Sequence, residues 1–171
     1  MATFINHLNR RQFNIAASLV LLSLPASRAL AHHGWSSFDG ATPLYLEGRV
    51  KTVRWQNPHA ELELDALKLS ALPADLSSRK IPTQQAAVDA AEVLKKTQLA
   101  KHSGLWEVEL APLTRMSAWQ VEPLAVGSSV AVVGFSFPDQ KPDSKGVHVL
   151  RVEFLFVGGK TYALRSAPVA S

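Results

Sequence analysis

Apolar and polar residues alternate in short runs along the chain, and each run ends in residues that favour turns. Leu44, Leu46, Gly48 and Val50 share one phase, whereas Val53 and Trp55 carry the apolar face in the opposite phase. A slip of phase inside a strand is what a bulge produces, so a bulged strand is predicted with its irregularity near Lys51-Thr52. The turn "QNPH" follows, since Pro58 pushes Asn57 towards extended backbone and cannot donate to a ladder. Ala60, Leu62 and Leu64 then alternate with Glu61, Glu63 and Asp65, and Trp106, Val108 and Leu110 alternate with Glu107 and Glu109. The period of two places Glu61, Glu63 and Asp65 on the face opposite the leucines, which is expected to be the solvent face. Residues 126–137, 148–157 and, after a Gly158-Gly159 hairpin turn, "KTYAL" complete five to six predicted strands.

Residues 68–104 differ in composition. The stretch "PTQQAAVDAAEVLKKTQLAKHSG" is rich in alanine, has Thr83 as a candidate N-cap, pairs Glu92 with Lys96 at helical spacing and ends near Gly104. One inserted α-helix is expected there, packed on the side of the strands through a thin apolar face. A further short helical turn is expected within 111–120. Short alternating strands, a bulged first strand and one helical insertion predict a mainly β fold, a small antiparallel OB-like β-barrel over 44–165, with a β-sandwich as the alternative. Residues 166–171 form a tail.

The first thirty residues do not fit this scheme. "NRRQF" precedes the apolar run "NIAASLVLLSLPA" and then Ala29-Leu30-Ala31, an A-x-A cleavage pattern, so residues 1–31 read as an export signal peptide. The apolar run is shorter than the roughly 20 residues that span a bilayer, and no stable anchor is expected after cleavage. Arg10-Arg11 with Phe13 matches a twin-arginine signal, an ordinary Sec signal being the alternative. Periplasmic or secreted localisation follows as an expectation. Without residues 1–31 the balance of basic to acidic residues falls from 18 against 14 to 15 against 14. A near-neutral mature domain offers no electrostatic reason to expect nucleic acid as a partner. The absence of cysteine excludes disulfides, thiol catalysis and zinc-thiolate sites.

Catalytic motifs are scarce. Gly158-Gly159-Lys160 lacks the spacing of a phosphate loop, and Ser77 with Lys80 forms only a chance-length Ser-x-x-Lys pair in a Pro- and Ser-rich connection. Histidines are more informative. Cleavage after Ala31 gives His32 a free α-amine, with an ordinary pKa near about 8, beside its own imidazole. These two nitrogens with a third from His33, His59 or His148 make a nitrogen-rich set suited to Cu(II). Cleavage after Ala29 instead places His32 third, where amine, backbone amides and imidazole form a square-planar chelate. His32, His33 and His59 are therefore the candidate metal ligands, in the entry segment 32–43 and at the Asn-Pro turn. Trp35 and Phe38 are expected to pack on the barrel, each gaining on the order of 1.5 to 3 kcal/mol by burial.

The blocks "AHHGWSSFD", "LYLEGRVKTVRWQNPHAELELD", "LWEVELAPLTRM", "LAVGSSVAVVGF" and "VLRVEF…GGKTYAL" together resemble a secreted bacterial family of unknown function, DUF6152. The resemblance covers most of residues 31–165 except the insertion, and the block Trp55–His59 is its most specific part. It implies export and a small β-barrel, and it marks His32, His33, Trp55, Asn57, Pro58 and His59 without giving them a role. The chain departs from the pattern in the insertion containing Gln84 to His102 and at Ala111-Pro112-Leu113. Two functional expectations result. One is a periplasmic module binding copper through the histidines. The other is a binding barrel for a small ligand or partner protein, without metal, using Trp55, Asn57 and Trp106, with Trp119 on the same face. A copper-dependent enzyme is a lesser, third expectation.

Overall fold

The computed structural model describes residues 35–169. Within them, β1 (Leu44–Arg54), β2 (Glu61–Ala66), β4 (Gly104–Glu109), β5 (Ser129–Ser136) and β6 (His148–Val157) close into a barrel in the order β2-β4-β6-β5-β1, with β1 also pairing β2. Two short strands attach outside the ring. β3 (Gln98–Leu99) pairs with β1, and β7 (Lys160–Ala163) pairs with β6. The sheet closes on itself, so the alternative of a β-sandwich does not apply.

The expectation of a wholly antiparallel barrel needs one correction. β4 and β6 run parallel, with Trp106 opposite His148 and Glu109 opposite Arg151. Between them the chain makes a helix, α2 (Leu113–Ala118), and then β5, so β6 re-enters the ring in the same direction as β4. That path is the Greek-key connection of a five-stranded OB-like barrel. The predicted bulge in β1 is present, as a register shift between Val50 and Thr52 against β2. Both glycines of the Gly158-Gly159 turn have positive φ, which lets β6 and β7 join through so short a connection.

Strand alternation builds the interior. Leu44, Leu46, Val50, Leu62, Leu64, Trp106, Val108, Val132, Leu150 and Val152 meet in one buried cluster. Two close approaches shape it. A Cβ on Gly48 would fall on the backbone carbonyl of Asp65, and one on Gly134 would fall on that of Arg151.

The outer surface is covered in two places. A strap over residues 35–43 lays Trp35 and Phe38 against Phe135 and Val149 of β5 and β6. The insertion covers a second patch, where Leu76 and Leu94 pack on Tyr45, Val133 and Phe154. Its helix is shorter than predicted: α1 spans Ala90–Lys96, capped by the Asp89 carboxylate, which accepts from the Glu92 backbone N–H at 2.9 Å. Thr83 is not the cap. Residues 83–86 are drawn away by tertiary partners: Gln84 bridges Pro168, its buried amide donates to Glu153, and the Ala86 N–H donates to Ser166. These bonds outweigh the helical preference of alanine, which is worth only tenths of a kcal/mol per residue, roughly. The expected Glu92–Lys96 pair is formed at 3.0 Å.

Candidate functional site

His32 and His33 lie outside the described residues. His59 is half-buried at the end of the turn, after a cis Asn57-Pro58 bond, and its Nε2 lies 3.2 Å from Arg151 Nη2. A guanidinium can only donate, so in this geometry His59 Nε2 accepts and the ring proton sits on Nδ1. Asn57 is exposed on the same turn. Trp55 is half-buried and leans on the interior cluster. Trp106 is a correction: it is wholly buried in that cluster, its indole N–H donating to the His102 carbonyl, and it offers no surface to a ligand. Trp119 is half-buried between the interior and the insertion's cluster and donates to the Ser166 carbonyl at 2.8 Å. The tryptophans therefore do not form one open binding face.

What sequence reasoning missed is a row of charge on the outer side of the barrel. The registers place Arg54, Glu61, Glu109 and Arg151 side by side across β1, β2, β4 and β6. Glu61 and Glu109 are buried rather than on a solvent face, at 5% and 4% exposure. Arg54 pairs with Glu61, and Arg151 approaches Glu109 at 3.7 Å. Burial pushes the Glu109 carboxyl above its ordinary range, against the pull of Arg151.

Arg151 is the meeting point. Its guanidinium lies over the Trp35 ring at 4.7 Å, and that of Arg165 lies over the same ring at 3.7 Å. Arg165 in turn pairs with the fully buried Glu153 at 2.6 Å. Arg115, donating to the Leu164 carbonyl, is close enough that Arg165 lowers its affinity for its proton, after burial. Burial likewise lowers that of Arg151, opposed by Glu109 and reinforced by Arg115 and Arg165. The guanidiniums of Arg54, Arg115, Arg151 and Arg165 thus lie among the carboxylates of Glu61, Glu107, Glu109 and Glu153, of which Glu109 resists ionisation. Trp35 comes from "AHHGWSSFD" and His59 from "WQNPH", so two blocks about twenty residues apart converge on one arginine.

Among the described residues no group of three or more His, Asp or Glu side chains is arranged to hold a metal ion. None of their helices is long and apolar enough to cross a membrane. The profile of a family described as "Family of unknown function (DUF6152)" matches residues 19–76, a stretch that contains both converging blocks together with β1 and β2. That stretch is similar to the family, over about a third of the chain. No curated protein and no solved structure gave a match. The matched stretch includes the turn from which His59 reaches Arg151 of β6.

Proposed function

We propose that the protein is an exported, non-catalytic binding module whose ligand presents a small anionic group, a carboxylate or oxyanion, to the Arg151 junction. The observation that supports this most is the meeting of His59 and Trp35 at Arg151, with Arg165 on the same indole. Planar guanidiniums present paired donors that match carboxylate and oxyanion geometry. Burial holds the Glu109 carboxyl back from ionising, which favours an anion over a cation beside the guanidiniums, and Arg165 leaves about a third of its side chain exposed to meet one. Export rests on "NRRQF", the apolar run and Ala29-Leu30-Ala31.

The test is calorimetric titration of the purified protein with acetate, succinate, sulfate and phosphate, accompanied by tryptophan fluorescence. One saturable site is expected, weakened in Arg165→Lys, which keeps the charge opposite Glu153 but loses the planar fork. Absence of saturable binding by every anion would overturn the reading.

A second reading keeps copper at the amino terminus. The cleavage pattern immediately before His32-His33 favours it, since cleavage after Ala31 would create an amine-imidazole chelate. The guanidinium beside His59 Nε2 is an unfavourable neighbour for a cation, so this reading rests on His32 and His33. Titration of the exported protein with Cu(II), followed by visible absorption, tests it. A tight site lost in His32→Ala is expected, and an unchanged isotherm in that variant removes the reading.

A further inference from the structure

One end of the barrel holds a cavity of about 220 Å³ whose lining does not include Trp35, His59, Arg151 or Arg165. Its polar lining comes from Asp39 and Thr42 of the strap, Gln98 of β3, Lys101, Ser136 at the end of β5 and Asp139 just beyond. Ser136 is the informative member. Its register partner on β6 is Leu150, an interior residue, so Ser136 stands on the inner side of β5. There it is 2% exposed, and its hydroxyl has no hydrogen-bond partner among the described residues. A buried hydroxyl without a partner forgoes its hydration, and a hydroxyl lining a cavity regains this only from something inside it.

The surrounding backbone is held towards the cavity. The Asp39 N–H donates to the Ser136 carbonyl at 2.8 Å, and the Asp39 carboxylate accepts from the Ala41 N–H at 3.0 Å. Asp139 and Gln140 both occupy the left-handed region, with φ of 59° and 56°. Two successive non-glycine residues rarely adopt it. Gln140 is locked there from two sides. Its side-chain oxygen accepts from the Lys101 N–H at 2.8 Å, and its carbonyl faces His148 Nδ1 at 3.1 Å.

The character of the lining narrows the ligand. Asp39, with Asp139, which also pairs with Lys141 at 3.3 Å, would disfavour an anion. Lys101 opposes a cation, for which the cavity has only two carboxylates. Hydroxyl groups both donate and accept, so they match the carboxylates and Ser136 as well as Lys101 and the Gln98 amide. Leu44 and Phe137 add apolar wall for a C–H face. The volume falls below the roughly 300 to 1,000 Å³ of sites for drug-sized ligands, which excludes a chain of rings. From this geometry we infer that the barrel mouth binds one small uncharged molecule rich in hydroxyl groups, a polyol or a single sugar ring, through Ser136, Asp39 and Asp139.

The experiment titrates the full chain with glycerol, erythritol, myo-inositol and D-glucose, each by calorimetry and by thermal shift. At least one is expected to bind saturably with one-to-one stoichiometry. Binding should weaken about tenfold or more, the equivalent of one lost hydrogen bond, in Ser136→Ala and in Asp39→Asn, and stay unchanged in Lys68→Ala, an exposed position outside the cavity lining. Asn keeps the acceptor for the Ala41 N–H, and circular dichroism checks that both variants fold. No saturable binding of any probe overturns the proposal, as does binding that survives in both variants. A thermal shift produced instead by calcium chloride and lost in Asp39→Asn would replace it with a cation site.

Discussion

Phe135 and Ser136 are neighbours on β5 that face opposite ways, and they belong to two polar regions of different kinds. Outside, Phe135 lies beneath Trp35 and Arg165, where opposite charges are packed side by side across the strands. Inside, Ser136 faces a cavity with hydroxyl, amide and carboxylate groups and one buried oxygen without a partner. The outer cluster is bound up with the fold, because its carboxylates are buried and depend on their arginines. The inner one is less bound up with the fold at Ser136, because no described residue hydrogen-bonds its hydroxyl. The outer groups hold one another mainly by ion pairing, with part of the Arg165 side chain left exposed to meet a ligand, whereas the Ser136 hydroxyl makes no hydrogen bond within the described residues.

The largest effect is expected from Arg151→Ala. It leaves Glu109 buried beside no guanidinium of its own, a change that typically costs about 3 to 5 kcal/mol. Urea unfolding followed by fluorescence measures it. Glu109 already ionises reluctantly, so the loss should shrink on acidification as the carboxyl takes up a proton, and the double variant with Glu109→Gln should recover part of it. A loss below about 1 kcal/mol would show that the charge row is not what holds the outer face.

Next comes Gly134→Ala, where the added methyl meets the Arg151 carbonyl and forces β5 from β6. Roughly 1 to 3 kcal/mol of destabilisation is expected, read as a lower urea midpoint at unchanged slope. Because Gly134 precedes both Phe135 and Ser136, this variant should disturb both regions together.

A smaller, pH-dependent effect separates them. His148 stacks on His102 with ring centres 4.2 Å apart, and burial, then the charge of His102, lowers its affinity for a proton. The unfolded chain therefore binds the proton more readily than the folded one. Stability contributed by neutral His148 is present above about pH 6.5, the unfolded value, and is lost as pH falls through that value towards the folded one. Glu109 has the opposite sign. Its folded affinity is raised, so stability declines as pH rises from the unfolded carboxylate range through the folded value. Comparing urea midpoints against pH for His148→Asn and Glu109→Gln should remove one slope and then the other. If both variants keep the parent profile, these groups do not carry the linkage.

The smallest effect is Ser136→Ala, within about 0.5 kcal/mol of the parent, since no bond is lost. A cost above 1 kcal/mol would mean that the hydroxyl has a structural partner.

Much of the barrel is legible in the sequence because strand alternation survives wherever one face meets the core. β6 coincides with residues 148–157, and the bulge in β1 follows from its phase slip. Alternation alone reports that two faces differ, not what covers the second. Glu61 and Glu109 look like solvent-facing residues until the row of arginines across the strands is known. Trp106 has the spacing of any interior residue, and reading it as a ligand platform rested on residue type alone. Gln84 falls in an alanine-rich run, and its pull towards Glu153 across 69 positions overrides the local helical pattern. The cavity is the least legible feature, because its lining is drawn from Asp39 to Gln140 by barrel closure.

The parallel pairing of β4 with β6 also sets an order of events. β6 seals the ring on both sides, against β4 and against β5, yet it begins only at His148. A nascent chain that has reached Phe137 holds β1, β2, β4 and β5 but keeps two unpaired strand edges, the kind of surface that recruits other chains. The ring can close only after β6 has left the ribosome, which favours slow, all-or-none folding dominated by contacts distant in sequence.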